Sequence, residues 1–143
     1  TVEDDRFYAV ARQDIRARQT RRASAEALGA TVTVDPTNDD LSAVVNGLSA
    51  GEGADVAVLC IGVPELVNDC LGLVRKRGRV SIFAGLAGEG WSTIAANLIH
   101  YKEITVVGAS NSGRENFVRA VRLIESGAID TMSLVTHTTL SRL

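Results

Sequence analysis

A chain of 143 residues with 45% hydrophobic content and a formal net charge of −2 is long enough for one globular domain that buries roughly 68–70% of the surface its unfolded form exposes. This balance gives no support to nucleic-acid binding, because the basic run "RARQTRRAS" is offset by the nearby "EDD" and reads as a solvated helix face. No stretch approaches the roughly 18 apolar residues of a membrane span and "TVEDDRF" is no leader, so the expectation is a cytoplasmic protein, neither exported nor membrane-bound.

In chain order, "FYAVA" at 7–11 is the first and weakest strand candidate, followed by a helix containing "TRRASAEALG" that Gly29 closes. "TVTV" at 31–34 reads as a second strand. Leu41, Val44, Val45 and Leu48 fall at i, i+3, i+4 and i+7, one face of a helix. "DVAVLCIG" at 55–62 is the next strand, and Pro64 then suits a first helical turn. Val67, Cys70, Leu71 and Val74 repeat the helical spacing, with Gly78 in place for the left-handed position after the last turn. "RVSIFAG" at 79–85 and "ITVVGAS" at 104–110 are strands. Phe117, Ala120, Val121 and Ile124 mark a final helix closed by Gly127, with Ser112 and Glu115 spaced as a capping box. The middle strands are nearly continuous in Val, Ile, Leu and Phe, as in strands covered on both faces. Strand alternating with helix predicts the doubly wound α/β class, a parallel sheet with helices on both sides.

Such sheets bind ligands at the carboxyl ends of their strands. The loops to weigh follow Gln13, Cys60, Phe83 and Val107, and three carry glycine at once: Gly62, Gly85 and Gly108. One glycine there is simply a turn; three at equivalent ends favour close approach of a flat ligand. Asp14 with Arg16 after the first strand suits an adenosine ribose or its 2′-phosphate, and equally suits a plain helix cap. Gly108 and Gly113 are spaced like a phosphate loop, but Arg114 and Glu115 stand where lysine and a hydroxyl are needed. "GLAGEG" lacks the immediate helix of a G-x-G-x-x-G loop. Cys60 and Cys70, the only cysteines, sit among apolar residues and predict buried thiols in a reducing compartment. His100 and His137 form no H-E-x-x-H, and no G-x-S-x-G occurs, so zinc proteolysis and the usual serine hydrolase elbow are unsupported.

Taken in order, "AEALGATVTVDP", "GADVAVLCIGVPELVNDCLGLVRKRGRVSIFAGLAG", "HYKEITVVGAS" and "LVTH" closely resemble the cofactor-binding domain of the zinc-type, medium-chain alcohol dehydrogenases, nearest to the polyol and threonine dehydrogenase branch. The resemblance covers about residues 8 to 143. It implies a Rossmann fold binding NAD or NADP. Asp14, or Arg16 when the helix is counted back from Gly29, would face the adenosine ribose, with Arg21 as the basic residue close by. Cys60, Ile61 and Gly62 match the strand end that touches the cofactor ribose. Ala84 and Gly85, with Ala109 and Asn111, match the backbone positions that hold the nicotinamide carboxamide. "VVGASNSGRENF" becomes the nicotinamide-end loop.

The departures from the family carry as much information. Its glycine-rich phosphate loop lies about 20 residues before the ribose acid, yet only 13 residues precede Asp14 and the first glycine is Gly29. The expectation is an incomplete sheet without its first strand, whose edges stay open unless the chain rearranges or pairs, for instance as a homo-oligomer. The substrate domain and the catalytic zinc ligands are also missing, and His100 and His137 do not replace them. Residues 1–143 are thus expected to be part of the dinucleotide-binding domain of an NAD(P)-dependent dehydrogenase acting on a small alcohol or polyol, and inactive alone. Two rivals stay open: a zinc-free, quinone reductase-like relative, and a non-catalytic Rossmann-like interaction module. A methyl donor-binding protein is weaker, because its glycine-rich first loop is equally missing.

Overall fold

Four of the five β-rich runs form one parallel sheet, ordered β1 (Phe7–Val10), β2 (Ala54–Leu59), β3 (Val74–Ile82) and β4 (Thr105–Gly108). The computed structural model describes residues 7–10, 22–132 and 135. They fall into two units, one of residues 1–12 and 34–110, the other of residues 13–33 and 111–143. Parallel neighbours need a crossover, usually a helix. The first unit supplies α2 (Leu41–Leu48), α3 (Leu66–Leu73) and α4 (Ala96–Lys102), one ahead of each later strand. β1 lies directly against β2, pairing Phe7 with Val56 and Val10 with Leu59. The ladder therefore has no gap among the described strands.

Local chemistry explains where these elements start and stop. The Asp40 carboxylate accepts from the Ser42 and Ala43 amides at 2.9 and 3.2 Å, capping α2. At its other end the buried Ser49 hydroxyl donates to the Val45 carbonyl and accepts from the Gly53 amide, both at 2.8 Å. α3 passes into β3 with no residue between, Leu73 ending the helix and Val74 opening the strand. The Lys102 ammonium reaches across to the Gly72 and Val74 carbonyls, 2.9 Å each, and satisfies acceptors that a helix end leaves orphaned. α3 packs on β2 and β3, and α4 on β3 and α3. The predicted stripe of α3, Val67, Cys70 and Leu71, joins Val45, Leu59, Val74 and Val80 in the fully buried core.

Three expectations need correction. "TVTV" is not a strand: no residue from 30 to 35 is in one. β-branched residues favour a pleated surface only where a ladder offers one, and Thr33 instead donates its hydroxyl to Glu26 and accepts from Arg22 Nε at 3.2 Å. Gly78 does not end α3. It lies inside β3, where Ala54 pairs with Val74 but Val56 pairs with Arg79, so β3 carries an excursion of extra residues. The left-handed residue is Arg77, at φ 61. Gly78 is needed for space, since a Cβ there would lie 2.9 Å from the Arg75 carbonyl oxygen. Finally, the capping box does not form. In the second unit α5 (Arg114–Glu125) starts after Gly113, with no side-chain cap bond, one residue too late for Ser112 to serve.

The rest of that unit includes α1, whose described part is residues 22–27. Gly29 and Gly127 follow α1 and α5 at φ 100 and 71, as the sequence predicts. No residue of α5 is buried, and Phe117, on its predicted apolar stripe, is 63% exposed. No helix among the described residues is long and apolar enough to cross a membrane.

Charge in the first unit gathers around the β3 excursion. Asp55 pairs with Arg75, while Glu103, the left-handed residue closing α4 at φ 54, receives Arg77 Nε and Lys76 Nζ at 2.9 Å each. Hydrogen bonds from Arg77 and then Lys76 hold the Glu103 carboxyl down at about 2, from an ordinary 4.5. A carboxyl depressed on folding stabilises the fold above its unfolded value and ceases to do so as pH falls through its folded one. Glu103→Gln is expected to remove that part of the acid limb between about pH 4.5 and 2, as read by far-UV circular dichroism. Because the pair is exposed, 1 M salt should shrink the difference; an unchanged acid limb would exclude the contribution.

Candidate functional site

Register brings the carboxyl ends of three strands level. Leu59 pairs with Ile82 and Ile82 with Gly108, so Cys60–Gly62, Phe83–Gly85 and Ala109 leave the sheet side by side. The ladder is carried one step further: Phe83 and Ala84 both donate to the Leu59 carbonyl, at 3.1 and 2.9 Å, and Ala109 donates to the Ile82 carbonyl at 3.0 Å. The amides of Ala84 and Ala109 are thereby spent, leaving their carbonyl oxygens as the groups to offer a ligand.

The structure separates the three strand-end glycines that look alike in sequence. A Cβ on Gly62 would lie 2.3 Å from the Gly85 carbonyl oxygen, and the Gly62 carbonyl accepts from the Ala87 amide at 2.8 Å. Gly62 is therefore glycine because one loop lies on the other. At Gly85 and Gly108 a Cβ would meet nothing within 4 Å. Those two faces are the open ones.

Six of the residues expected at the site, Cys60, Ile61, Gly62, Ala84, Gly85 and Ala109, thus share one end of the sheet, and none carries a carboxylate or an ammonium. Asn111 belongs to the second unit, in the left-handed conformation (φ 56) that asparagine tolerates better than most residues. Asp14, Arg16 and Arg21 lie outside the described residues.

Of the two cysteines, only Cys70 is buried. Cys60 is exposed, contrary to the expectation, because β2 ends at Leu59 and the thiol stands beyond the packed sheet. Burial, with Asp69 and then Cys60 adding to it, pushes the Cys70 thiol up to about 11, so it is protonated as well as covered at neutral pH. A thiol-specific disulfide reagent at about pH 8 should label Cys60 in the native chain and Cys70 only after unfolding. Native labelling that survives Cys60→Ser would contradict this assignment.

Sequence reasoning missed the contacts that hold the loop between β3 and α4. Ser92 Oγ donates to the Pro64 carbonyl at 2.8 Å. Asn68, on α3, donates Nδ2 to the Thr93 carbonyl at 2.7 Å and accepts the Ala95 amide on Oδ1 at 2.8 Å. No local signal marks them, since each partner is 25 to 28 residues away.

The described residues do not make a zinc site: no group of three or more His, Cys, Asp or Glu side chains is placed to hold a metal ion. His100 lies in the last turn of α4 with its ring edge-on to Tyr101, centroids 4.8 Å apart, and His137 falls outside the described residues. A groove along α5 is lined, among the described residues, by Arg114, Glu115, Val118, Arg119 and Arg122 of that helix alone.

Comparison with known proteins assigns this arrangement. The zinc-binding dehydrogenase family matches residues 14–126. D-arabitol-phosphate dehydrogenase of Enterococcus avium is 33% identical over 116 residues, covering 81% of this chain and 33% of the relative. L-threonine 3-dehydrogenase of Pyrococcus abyssi is 32% identical over 120 residues, covering 82% and 34%. The chain spans about a third of the length of these relatives. Among solved structures, a zinc-binding dehydrogenase from Sinorhizobium meliloti bound to NADP superposes with a TM-score of 0.72 at 31% identity, over 87% of this chain and 35% of that one. The 2R,3R-butanediol dehydrogenase of Bacillus subtilis gives 0.73 at 28%, over 91% and 35%. The sheet is that of a Rossmann-like α/β dehydrogenase domain, and the chain belongs to the zinc-binding dehydrogenase family.

Proposed function

We propose that residues 1–143 form the nicotinamide-side part of the dinucleotide-binding domain of an NAD(P)-dependent dehydrogenase. The observation that carries this reading is the level set of three strand ends, uncharged and open at Gly85 and Gly108. Such a surface suits a flat ring that must be approached closely, and a solved relative holds NADP. The Ala84 and Ala109 carbonyls, their own amides already spent, would accept from the NH2 of a nicotinamide carboxamide. Asn111 would complete this end. Cys60, Ile61 and Gly62 would flank the adjoining ribose, while Asp14 or Arg16, with Arg21, would meet the adenosine ribose. The cofactor, once bound, supplies hydride chemistry; this chain's residues bind and orient it.

The catalytic zinc and the alcohol would be held by other parts of the enzyme, so the chain alone is inactive. The substrate class we assign is a small alcohol or polyol, in keeping with the arabitol-phosphate, erythritol/threitol and sorbitol dehydrogenases among the relatives. The setting we assign is cytoplasmic, with neither a membrane nor nucleic acid as partner. Among the described strands β4 is paired on one side only, and Val107 on it is 40% exposed, so a second copy could pair there; light scattering tests that.

The deciding experiment is a titration with NADH and with NADPH, followed by cofactor fluorescence and by the labelling rate of Cys60. Saturable binding that slows Cys60 labelling is the expected result, and the tighter of the two cofactors identifies the ribose preference. A folded chain that binds neither would refute the reading.

A further inference from the structure

The segment after β3 contains Ala84 and Gly85 and then "LAGEGWSTIA", a stretch rich in glycine that includes Trp91, 81% exposed. By composition it should wander. It is instead tied to the preceding loop and to α3 at three points: Ala87 amide to Gly62 carbonyl, Ser92 hydroxyl to Pro64 carbonyl, and the Asn68 carboxamide to both Thr93 and Ala95. The first tie is backbone only, and the second is a single bond. The third uses one side chain as donor and acceptor together, on the two groups that flank Ile94.

We propose that Asn68 is the positioning residue of this loop: its carboxamide fixes residues 86–95 against α3 and thereby sets the place of the Ala84–Gly85 rim. The functional part of this inference rests on the cofactor reading above. Only a carboxamide offers one N–H and one carbonyl oxygen at this spacing; a carboxylate has two acceptors, and an aliphatic side chain has neither group. The tie also starts α4. A helix leaves its first amides without partners, and α4 begins at Ala96 with Ala95 in the cap position and no side-chain cap of its own. Asn68 takes the Ala95 amide from 27 residues upstream, so one residue of α3 anchors the end of the loop and the start of the next helix. Asn68 touches no reacting atom; it acts through the loop.

The test compares the wild-type chain with Asn68→Asp, which keeps the size and one acceptor but sets an oxygen against the Thr93 carbonyl, and with Ser92→Ala, which removes a neighbouring tie and leaves Asn68 in place. Hydrogen exchange by mass spectrometry, Trp91 anisotropy and NADH titration are the readouts. In Asn68→Asp the amides of 86–95 should exchange about tenfold faster and Trp91 anisotropy should fall, with β2 and β3 unchanged, and NADH should bind about tenfold more weakly. Ser92→Ala should give a smaller change of the same kind. Unchanged exchange in 86–95 overturns the proposal. So does faster exchange spread evenly over the chain, because Asn68 would then be a general stabiliser. A loosened loop with undiminished NADH affinity overturns the link to the rim. If the wild-type chain binds no dinucleotide, the cofactor reading fails, and loop exchange alone decides whether Asn68 positions the loop.

Discussion

Gly62→Ala is expected to lower stability by about 2 kcal/mol and the melting temperature by roughly 8 °C, whereas Gly85→Ala leaves both nearly unchanged. The two glycines sit at equivalent strand ends but face different surroundings. A methyl on Gly62 would stand 2.3 Å from a backbone oxygen of Gly85, and backbone cannot rotate aside as a side chain does. The two loops must separate, and the Ala87 amide then loses the Gly62 carbonyl. A methyl on Gly85 meets open space. If that space is the ring site, Gly85→Ala weakens NADH binding without weakening the fold. Urea unfolding and cofactor titration of the two variants make the comparison. Equal loss of stability in both would show that the two loops do not meet as described.

A larger loss is expected from Leu71→Ala, about 3 kcal/mol with a range of roughly 2–5, because it leaves a cavity as well as removing buried surface. Leu71 is fully buried on α3, which packs against both β2 and β3. Leu48 occupies an equally regular position in the stripe of α2, yet it is 42% exposed, and Leu48→Ala should cost less than about 1 kcal/mol. Unfolding is best followed by far-UV circular dichroism, since the only tryptophan, Trp91, is already in water in the folded chain. Similar losses for the two leucines would mean that α2 and α3 are covered to the same extent.

That contrast shows what the sequence could convey. Helical spacing located α2, α3 and α5 because it is a local property of the chain, and the glycines after α1 and α5 were legible for the same reason. Spacing does not say how deeply a stripe is covered, as Leu48 and the exposed Phe117 show. "TVTV" failed because a strand is made by its neighbour, and none of the described strands takes it up. α4 went unread: it is seven residues long, buries none of them and has the amide of its cap residue, Ala95, held from α3. At the site, the strand ends and their glycines were visible from composition, since continuous β-branched runs ending in glycine announce them. Which glycine serves the chain and which faces open space depends on how two loops lie together, and the ties at Asn68 and Ser92 depend on partners far along the chain.

The direct passage from Leu73 into Val74 also bears on how this domain tolerates changes in chain length. With helix and strand sharing a boundary and Lys102 holding carbonyls on both sides of it, an added residue there would turn either the α3 stripe or the β3 face out of register with the core. Three residues further on, the excursion around Lys76 and Arg77 already lies outside the ladder and in solvent. Insertions, epitope tags and natural length differences should therefore collect at 76–77 and be excluded from 73–74, although the two places are neighbours in sequence.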